Sequence, residues 1–571
     1  MRRTKIVATI GPATRSFDRL AALAEAGMDV ARINLSHGDV ETHRETIRQI
    51  RAVETQTGRP LAIMLDTAGP EIRITTDAAG LTLVPGQRVR VGTQAADIQV
   101  DEPRILTQLT VGTRLILDDG NIVLRVLAVG DPLEAEVLIG GRLMNRKKMI
   151  SPDSPWDLDI LTKEDRAALA MGVEEGVDWI AASFVRSPDD IIAIRRELED
   201  HGRLIPIMAK IENVQAVDAI EAIVTVADGV MVARGDLGIE LPVEEVPWLQ
   251  KKIIAAANRA GKPVVTATQM LESMIAHPRP TRAEVTDVAH AIMDGTDAVM
   301  LSAETASGDY PVEAVRVMAQ VAEAADQQAE HFRRYLTRGS ITEAVSHASV
   351  TAAEDLQARA ILSATESGST ALAVAALRPR VPIIALTPYL PIARRLTIVW
   401  GVVPVVTARA HSTDQMMDNA VTTALAHGWV ASGDRVVLTA GVPIGQTGTT
   451  NLMRVITIGD IVVKGQGVGV RAAASGPVIT VQRPDQVTPQ DVVGKVLVAP
   501  LTNEEWMPLI ENASAIIVES GGLTSHAAIV GLSLGKPTIV GAVDALTKVP
   551  TGQIVTVDGA HGVVYRGTVQ V

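Results

Sequence analysis

One alternation constrains this chain more than any other feature. Through its first half, short apolar runs that read as strands are each followed by a stretch that reads as helix. The strand-like runs are 5–10, 30–36, 62–67, 179–184, 206–211, 229–234, 264–269 and 298–304. They are continuous in Val, Ile, Ala, Leu and Met, as in parallel strands covered on both faces. Only 2% of the residues are aromatic while 47% are hydrophobic, so such a core must be aliphatic. Stretches 17–27 and 42–54 read as helices, and Thr162 with Asp165 has the spacing of a capping box. Another helical stretch opens at Thr281–Glu284. Eight such repeats predict a (β/α)8 barrel. A doubly wound parallel sheet is the rival that the count alone leaves open.

The alternation breaks from about 70 to 155, where short runs punctuated by Gly, Pro and Asp predict an inserted β-barrel lid. A second α/β unit follows, with strands near 358–365, 382–387, 402–407, 435–441 and 454–459. The expected domains are the barrel at 1–69 and 156–338, the lid at 70–155, an α/β regulatory domain at 339–465, a Gly/Ala/Ser-rich linker at 466–476, and a β/α tail at 477–571. The tail should carry strands at 495–501, 513–520, 537–541 and 552–559, and a helix opening at Thr502.

Composition removes several functions. There is no cysteine, so disulfides, thiolate metal sites and a cysteine nucleophile are excluded. A net charge of −13 argues against general nucleic-acid binding. It leaves room for a small anionic substrate in a cleft with its own Arg and Lys. The start shows no leader pattern and no run approaches the ~20 apolar residues of a membrane span. A cytoplasmic protein with no membrane or nucleic-acid partner is expected.

In a barrel of this kind the chemistry sits at the C-terminal ends of the strands. Here those ends are polar. The second run gives Arg32, Asn34, Ser36 and His37; the third gives Asp66, Thr67, Glu71 and Arg73. The fifth gives Lys210 and Glu212, the sixth Gly235 and Asp236, the seventh Thr268. Glu212 and Asp236 are carboxylates on adjacent strand ends, a set that suits Mg2+ completed by substrate oxygens and water. Arg32, Arg73 and Lys210 could surround a phosphoryl group. The helix start at Gly235–Asp236 could hold a substrate carboxylate. Together they suggest metal-assisted phosphoryl transfer on a small acid. An isolated Lys–Glu pair is more often a structural salt bridge, and a lone His37 a surface histidine. The weight lies in consecutive strands ending in compatible groups.

These residues sit in motifs that resemble the pyruvate kinase family: T-K-I-V-A-T-I-G-P-A-T (4–14), A-R-I-N-L-S-H-G (31–38), G-P-E-I-R (69–73), A-K-I-E-N (209–213), A-R-G-D-L-G (233–238), A-T-Q-M-L-E-S-M-I (267–275), P-R-P-T-R-A-E (278–284) and L-S-A-E-T-A-S-G-D-Y-P (301–311). The resemblance implies transfer of phosphoryl from phosphoenolpyruvate to ADP, giving pyruvate and ATP. It implies that Arg32 and Lys210 contact the phosphoryl group and that Lys210 stabilises the enolate. Glu212 and Asp236 would hold Mg2+ or Mn2+. The amides at Gly235 and Asp236 would take the carboxylate, and Thr268 would sit beside the protonated carbon. Arg73, His37 and Asn34 would lie on the nucleotide side. Asn34, Ser36, Asp66 and Thr67 match the family's K+ ligands. Glu71 stands where potassium-independent members carry Lys, so K+ activation is expected.

The chain departs from the family at Ala68, where Lys is common, and at N-R-K-K-M-I-S-P (145–152), which only partly matches K-G-V-N-L-P-G. T-E-S-G-S-T (365–370) resembles the family's effector-phosphate loop, implying a phosphorylated allosteric effector at Thr365, Ser367, Gly368, Ser369 and Thr370. G-Q-T-G-T-T-N (445–451) resembles a loop near the same pocket. A homotetramer is implied by the resemblance alone. In the tail, G-G-L-T-S-H-A-A-I-V-G (521–531) resembles the phosphohistidine domain of phosphoenolpyruvate synthase and pyruvate phosphate dikinase, which makes His526 a possible phosphohistidine. No domain that would charge it is apparent, which favours a structural or regulatory tail.

Overall fold

A computed structural model of the chain describes residues 2–77, 80–153, 156–329, 339–443, 448–459, 461–468 and 473–569. The eight expected strands are Lys5–Thr9, Val30–Asn34, Ala62–Asp66, Trp179–Ala182, Ile207–Ile211, Gly229–Ala233, Val264–Ala267 and Ala298–Leu301. They close in sequence order into one parallel barrel, the first pairing with both the second and the eighth. Closure decides against the doubly wound sheet, which needs two open edges. Every residue of the first, third and sixth strands is buried, which explains their unbroken apolar sequence.

Seven of the eight strands stop one to three residues short of the apolar runs; the fifth ends with its run, at Ile211. The residues beyond them form the rim: Ser183 and Phe184 follow the fourth strand, Thr268 and Gln269 the seventh. Phe184, Thr268 and Gln269 have φ of 58°, 67° and 55°. Left-handed backbone at bulky residues costs of order 1–3 kcal/mol each and gathers at functional sites.

The capping box of Thr162 and Asp165 opens the helix Lys163–Glu175, and that of Thr281 and Glu284 opens Arg282–Met293. Asp165 does more than cap. Its carboxylate also accepts the Ala68 and Gly69 amides at 2.9 and 3.1 Å, anchoring the chain where it leaves the barrel for the insert. Gly69 has φ 68°, and a Cβ there would lie 2.7 Å from the Phe184 ring, so glycine is required. The insert is a second closed barrel, of seven strands, entered by Ile72–Thr75 and left by Lys148–Ile150. Its core is aliphatic, with Ile74, Val91, Leu115, Leu124 and Leu133 fully buried.

Two compact units can be described. The first holds both barrels and the parallel strand pair Ile383–Thr387 and Val402–Val406. In the second, Ala360–Ala364 runs parallel to Arg435–Ala440, which pairs antiparallel with Leu452–Thr457. The second unit also contains the tail, built on a mixed eight-stranded sheet.

Two expectations for the tail are corrected. Residues 466–476 are no simple linker: Gln466–Gly467 and the start of Ala473–Thr480 are strands of that sheet. Their small residues serve close packing. A Cβ on Gly467 would meet the Gly559 carbonyl at 2.5 Å, and one on Gly476 the Gly494 carbonyl at 2.8 Å. The helical turn expected at Thr502 begins instead at Glu504, capped by the Asn503 side chain. Among the described residues no helix is long and apolar enough to cross a membrane.

Candidate active site

Lys210 is the centre of a buried polar cluster at the barrel rim. Its ammonium donates to Ser183 Oγ at 2.6 Å and lies 3.0 Å from Asp66 Oδ1 and 2.8 Å from Glu212 Oε1. Burial pulls the Lys210 pKa down, but the charges of Asp66 and Glu212 outweigh it, so the ammonium is held above the ordinary lysine range. It stays charged at any physiological pH.

Asp66 ends the third strand and is fully buried. Its second oxygen takes Arg32 Nε at 2.6 Å, and Arg32 also reaches Thr9 Oγ1 at 2.9 Å. Burial acts to raise the Asp66 carboxyl, and Arg32 and Lys210 overcome this and hold it below the usual carboxylate range. One carboxylate therefore fixes two cations in one place. Ser183 closes the network, donating to the Thr67 carbonyl at 2.6 Å while its own amide donates to Thr67 Oγ1 at 3.0 Å.

Glu212 is 2% exposed, and its other oxygen accepts the Phe184 amide at 2.7 Å. Burial raises its carboxyl above the usual range; Lys210 opposes this and Asp236 adds to it. Ile211 lies opposite Val232, so Glu212 and Asp236 leave neighbouring strand ends. The insert reaches this spot. Lys148 Nζ lies 2.6 Å from Asp236 Oδ1, 3.9 Å from Glu71 Oε1, and 4.5 Å above the Phe184 ring centre. Glu71 pairs with Arg73 at 2.5 Å, and Arg73 also donates to the Arg146 carbonyl at 3.1 Å.

On the sixth and seventh ends, the Gly235 amide donates to Thr268 Oγ1 at 2.9 Å, and the Thr268 hydroxyl donates to the Ala267 carbonyl at 2.7 Å. Arg234 pins the same turn by donating to the Thr268 carbonyl at 2.7 Å and to Asp287 at 2.7 Å. The Gly235 amide is thus already engaged.

Not every expected residue joins the cluster. His37 is exposed in the turn after the second strand. Asn34 folds its side chain back to accept the Ser36 amide at 3.1 Å. In the loop 365–370, Thr365 and Thr370 are buried. Thr365 Oγ1 accepts the Gly368 amide at 2.9 Å, and Thr370 Oγ1 accepts from Thr450 Oγ1 at 2.9 Å. That leaves Ser367 and Ser369, hydrogen-bonded to each other at 3.0 Å, to face solvent. The related loop 445–451 lies partly outside the described residues. His526 opens the helix His526–Ser533, its Nδ1 3.2 Å from Thr502 Oγ1.

Sequence reasoning passed over Ser183, Phe184 and Lys148. The pair Ser-Phe at the end of the fourth run was a legible signal. Lys148 was not, because it lies on the insert and only the chain's return to the barrel brings it in.

Among the described residues no group of three or more His, Asp or Glu could hold a metal ion. Glu212 and Asp236 could hold a divalent ion jointly with substrate oxygens and water. The strain on the Glu212 carboxyl from burial and from Asp236 is what such an ion would relieve.

Comparison with known proteins gives three matches to family models. Residues 1–315 match the pyruvate kinase barrel domain, 343–456 the pyruvate kinase alpha/beta domain, and 492–562 the mobile domain of PEP-utilising enzymes. The chain is 48% identical over 581 residues to a pyruvate kinase of Geobacillus stearothermophilus, covering 99% of each. It is 45% identical over 587 residues to one of Bacillus licheniformis, covering 100% of each. It is 43% identical over 578 residues to pyruvate kinase 2 of a Synechocystis species, covering 99% of this chain and 98% of that one.

Proposed function

The chain belongs to the pyruvate kinase family and is a phosphotransferase, and on that premise we propose how its rim residues move phosphoryl from phosphoenolpyruvate to ADP. The observation that carries the reading is the fixing of Arg32 and Lys210 by the single buried carboxylate of Asp66. Two cations held that way face the phosphoryl group without reorganising as its charge moves. The bond from phosphorus to the enol oxygen breaks as a β-phosphate oxygen of ADP bonds to phosphorus. Lys210 stabilises the enolate left behind. Thr268, whose hydroxyl is aimed by the Ala267 carbonyl and the Gly235 amide, stands beside the carbon that takes the proton.

Glu212 and Asp236 would hold Mg2+ or Mn2+, which when bound offsets phosphoryl charge and orders its oxygens. The Asp236 amide, with Gly235 once its bond to Thr268 yields, receives the substrate carboxylate. Arg73, His37 and Asn34 serve the nucleotide side. Asn34, Ser36, Asp66 and Thr67 supply only oxygen donors, a set that suits K+ in the family's second cation role. The insert closes over the substrate and excludes water.

Allosteric activation by a phosphorylated metabolite would use Ser367 and Ser369, with Gly368 and the framework of Thr365 and Thr370. The tail is read as structural or regulatory; a relay through His526 is the second reading, favoured by the match of 492–562 to a mobile domain of PEP-utilising enzymes. A homotetramer in the cytoplasm completes the proposal. The test is Lys210→Met: pyruvate formation should vanish while the protein still folds, and near-normal turnover would sink the reading.

A further inference from the structure

The strand by which the insert returns to the barrel, Lys148–Ile150, opens with a lysine that reaches a carboxylate of the rim. Lys148 Nζ lies 2.6 Å from Asp236 Oδ1, with side chains 14% and 33% exposed. The same ammonium stands 4.5 Å from the Phe184 ring centre, and the Phe184 amide donates to Glu212 Oε2 at 2.7 Å. Lys147, one residue earlier, turns the other way, to Asp118 Oδ1 at 2.6 Å. Set against K-G-V-N-L-P-G with the prolines matched, Lys147 takes the place of the K and Lys148 that of the G. A glycine there could make no such contact.

Glu212 and Asp236 offer their carboxylate oxygens to a divalent ion, and most of these are engaged. Glu212 Oε1 is held by Lys210, Glu212 Oε2 by the Phe184 amide and Asp236 Oδ1 by Lys148. Among the described residues only Asp236 Oδ2 has no partner. Mg2+ sits at about 2.1 Å from a carboxylate oxygen. On Asp236 Oδ1 it would stand roughly 4 Å from the Lys148 ammonium, where like charges repel strongly even in a partly wet site. Lys148 has other carboxyls to turn to. Glu71 Oε1 is 3.9 Å from its ammonium, and Glu240 lines the cavity of about 170 Å3 that Lys148 shares with Glu71 and Phe184. The charges of Asp236, Glu71, Glu212 and Glu240 all bear on Lys148.

We propose that Lys148 is an internal competitor for the divalent ion: its ammonium holds Asp236 Oδ1, and the ion binds by driving it toward Glu71 and Glu240. The inference rests on the reading of Glu212 and Asp236 as the metal carboxylates of the pyruvate kinase reaction. Because Lys148 belongs to the insert, the exchange ties metal binding to release of a contact that joins the insert to the barrel. The ion binds weakly on its own and gains most where substrate oxygens complete its shell.

The test is Mn2+ binding to the full chain without substrate, followed by the electron paramagnetic resonance of free Mn2+ at fixed ionic strength. Lys148→Gly and Lys148→Met should bind Mn2+ at least about threefold more tightly than wild type. Lys148→Arg should stay within about twofold of wild type, and so should Lys147→Met, which removes the neighbouring charge without touching Asp236. Mn2+ should also raise the melting temperature of Lys148→Met by more than that of wild type, because in wild type binding has to break the ion pair. Unchanged or weaker binding in both neutral variants overturns the inference. So does equal tightening by Lys147→Met, which would mean a general field and no competition at Asp236. Should Lys148→Gly fail to fold, Lys148→Met still decides. Asp236→Asn separates the inference from the reading beneath it. It should weaken Mn2+ binding in wild type and in Lys148→Met alike. If it weakens neither, or if no protein binds Mn2+, the metal reading of this rim falls, and the inference with it.

Discussion

Lys210 and Glu212, two residues apart on the fifth barrel strand, form an ion pair of 2.8 Å with side chains only 12% and 1% exposed. Removing one member of such a pair strands the other in a dry site, typically at about 3–5 kcal/mol. Lys210→Met should therefore lower stability as well as abolish turnover. The stability loss should grow as pH rises, because Glu212, already raised by burial, can escape only by binding a proton. Urea unfolding at acid and alkaline pH checks this; a loss independent of pH would contradict it.

Asp66 holds Arg32 and Lys210 together, so Asp66→Asn should misplace both cations without removing either. The expected result is a fall in kcat of about 10²–10³, with a smaller change in KM. Steady-state kinetics decide: a large KM effect at unchanged kcat would mean the pair serves ground-state binding only.

Thr268 is held at φ 67°, where a β-branched side chain is strained. Thr268→Gly should relieve on the order of 1 kcal/mol while costing activity. Thr268→Ser should keep most of the activity, since it retains the hydroxyl that meets Ala267 and Gly235. Melting temperatures and kcat for both variants test this exchange of stability for function.

Glu240 accepts the Val214 amide at 3.2 Å and lines a cavity with Lys148, Ser151 and Trp156. Burial, the largest influence, pushes its carboxyl up to about 7. The folded state then binds more protons than the unfolded state between about pH 4.5 and 7, so stability falls as pH rises through that window. Glu240→Gln should flatten this slope. An unchanged slope in urea midpoints across the window would place the titration elsewhere.

If the tail carries no phosphate in the main reaction, His526→Ala should leave ADP phosphorylation within about twofold of wild type. Loss of turnover would instead favour the relay.

Much of the fold was legible because the barrel imposes one rule repeatedly. Continuous apolar strands buried on both faces end in polar residues at one rim, so Arg32, Asp66, Lys210, Glu212, Asp236 and Thr268 could be picked out together. The misreadings share a physical cause. The Gly- and Ala-rich run 466–476 looked flexible because side-chain pattern cannot show that a small residue serves close backbone packing, as Gly467 does against Gly559. The sequence also could not show that, in the loop expected to take an effector phosphate, Thr365 Oγ1 accepts the Gly368 amide and Thr370 Oγ1 accepts from Thr450. Lys148 was invisible because it is separated from Asp236 by 88 positions and joined to it only by the return of the insert.

The most direct measurement is pyruvate produced from phosphoenolpyruvate and ADP with Mg2+, in wild type and in Glu212→Gln. The expected result is ready turnover in wild type and a loss of at least about 10²-fold in the variant, recovered in part by raising Mg2+. Equal turnover in the two proteins, or none in wild type, would contradict the placing of phosphoryl transfer at this rim.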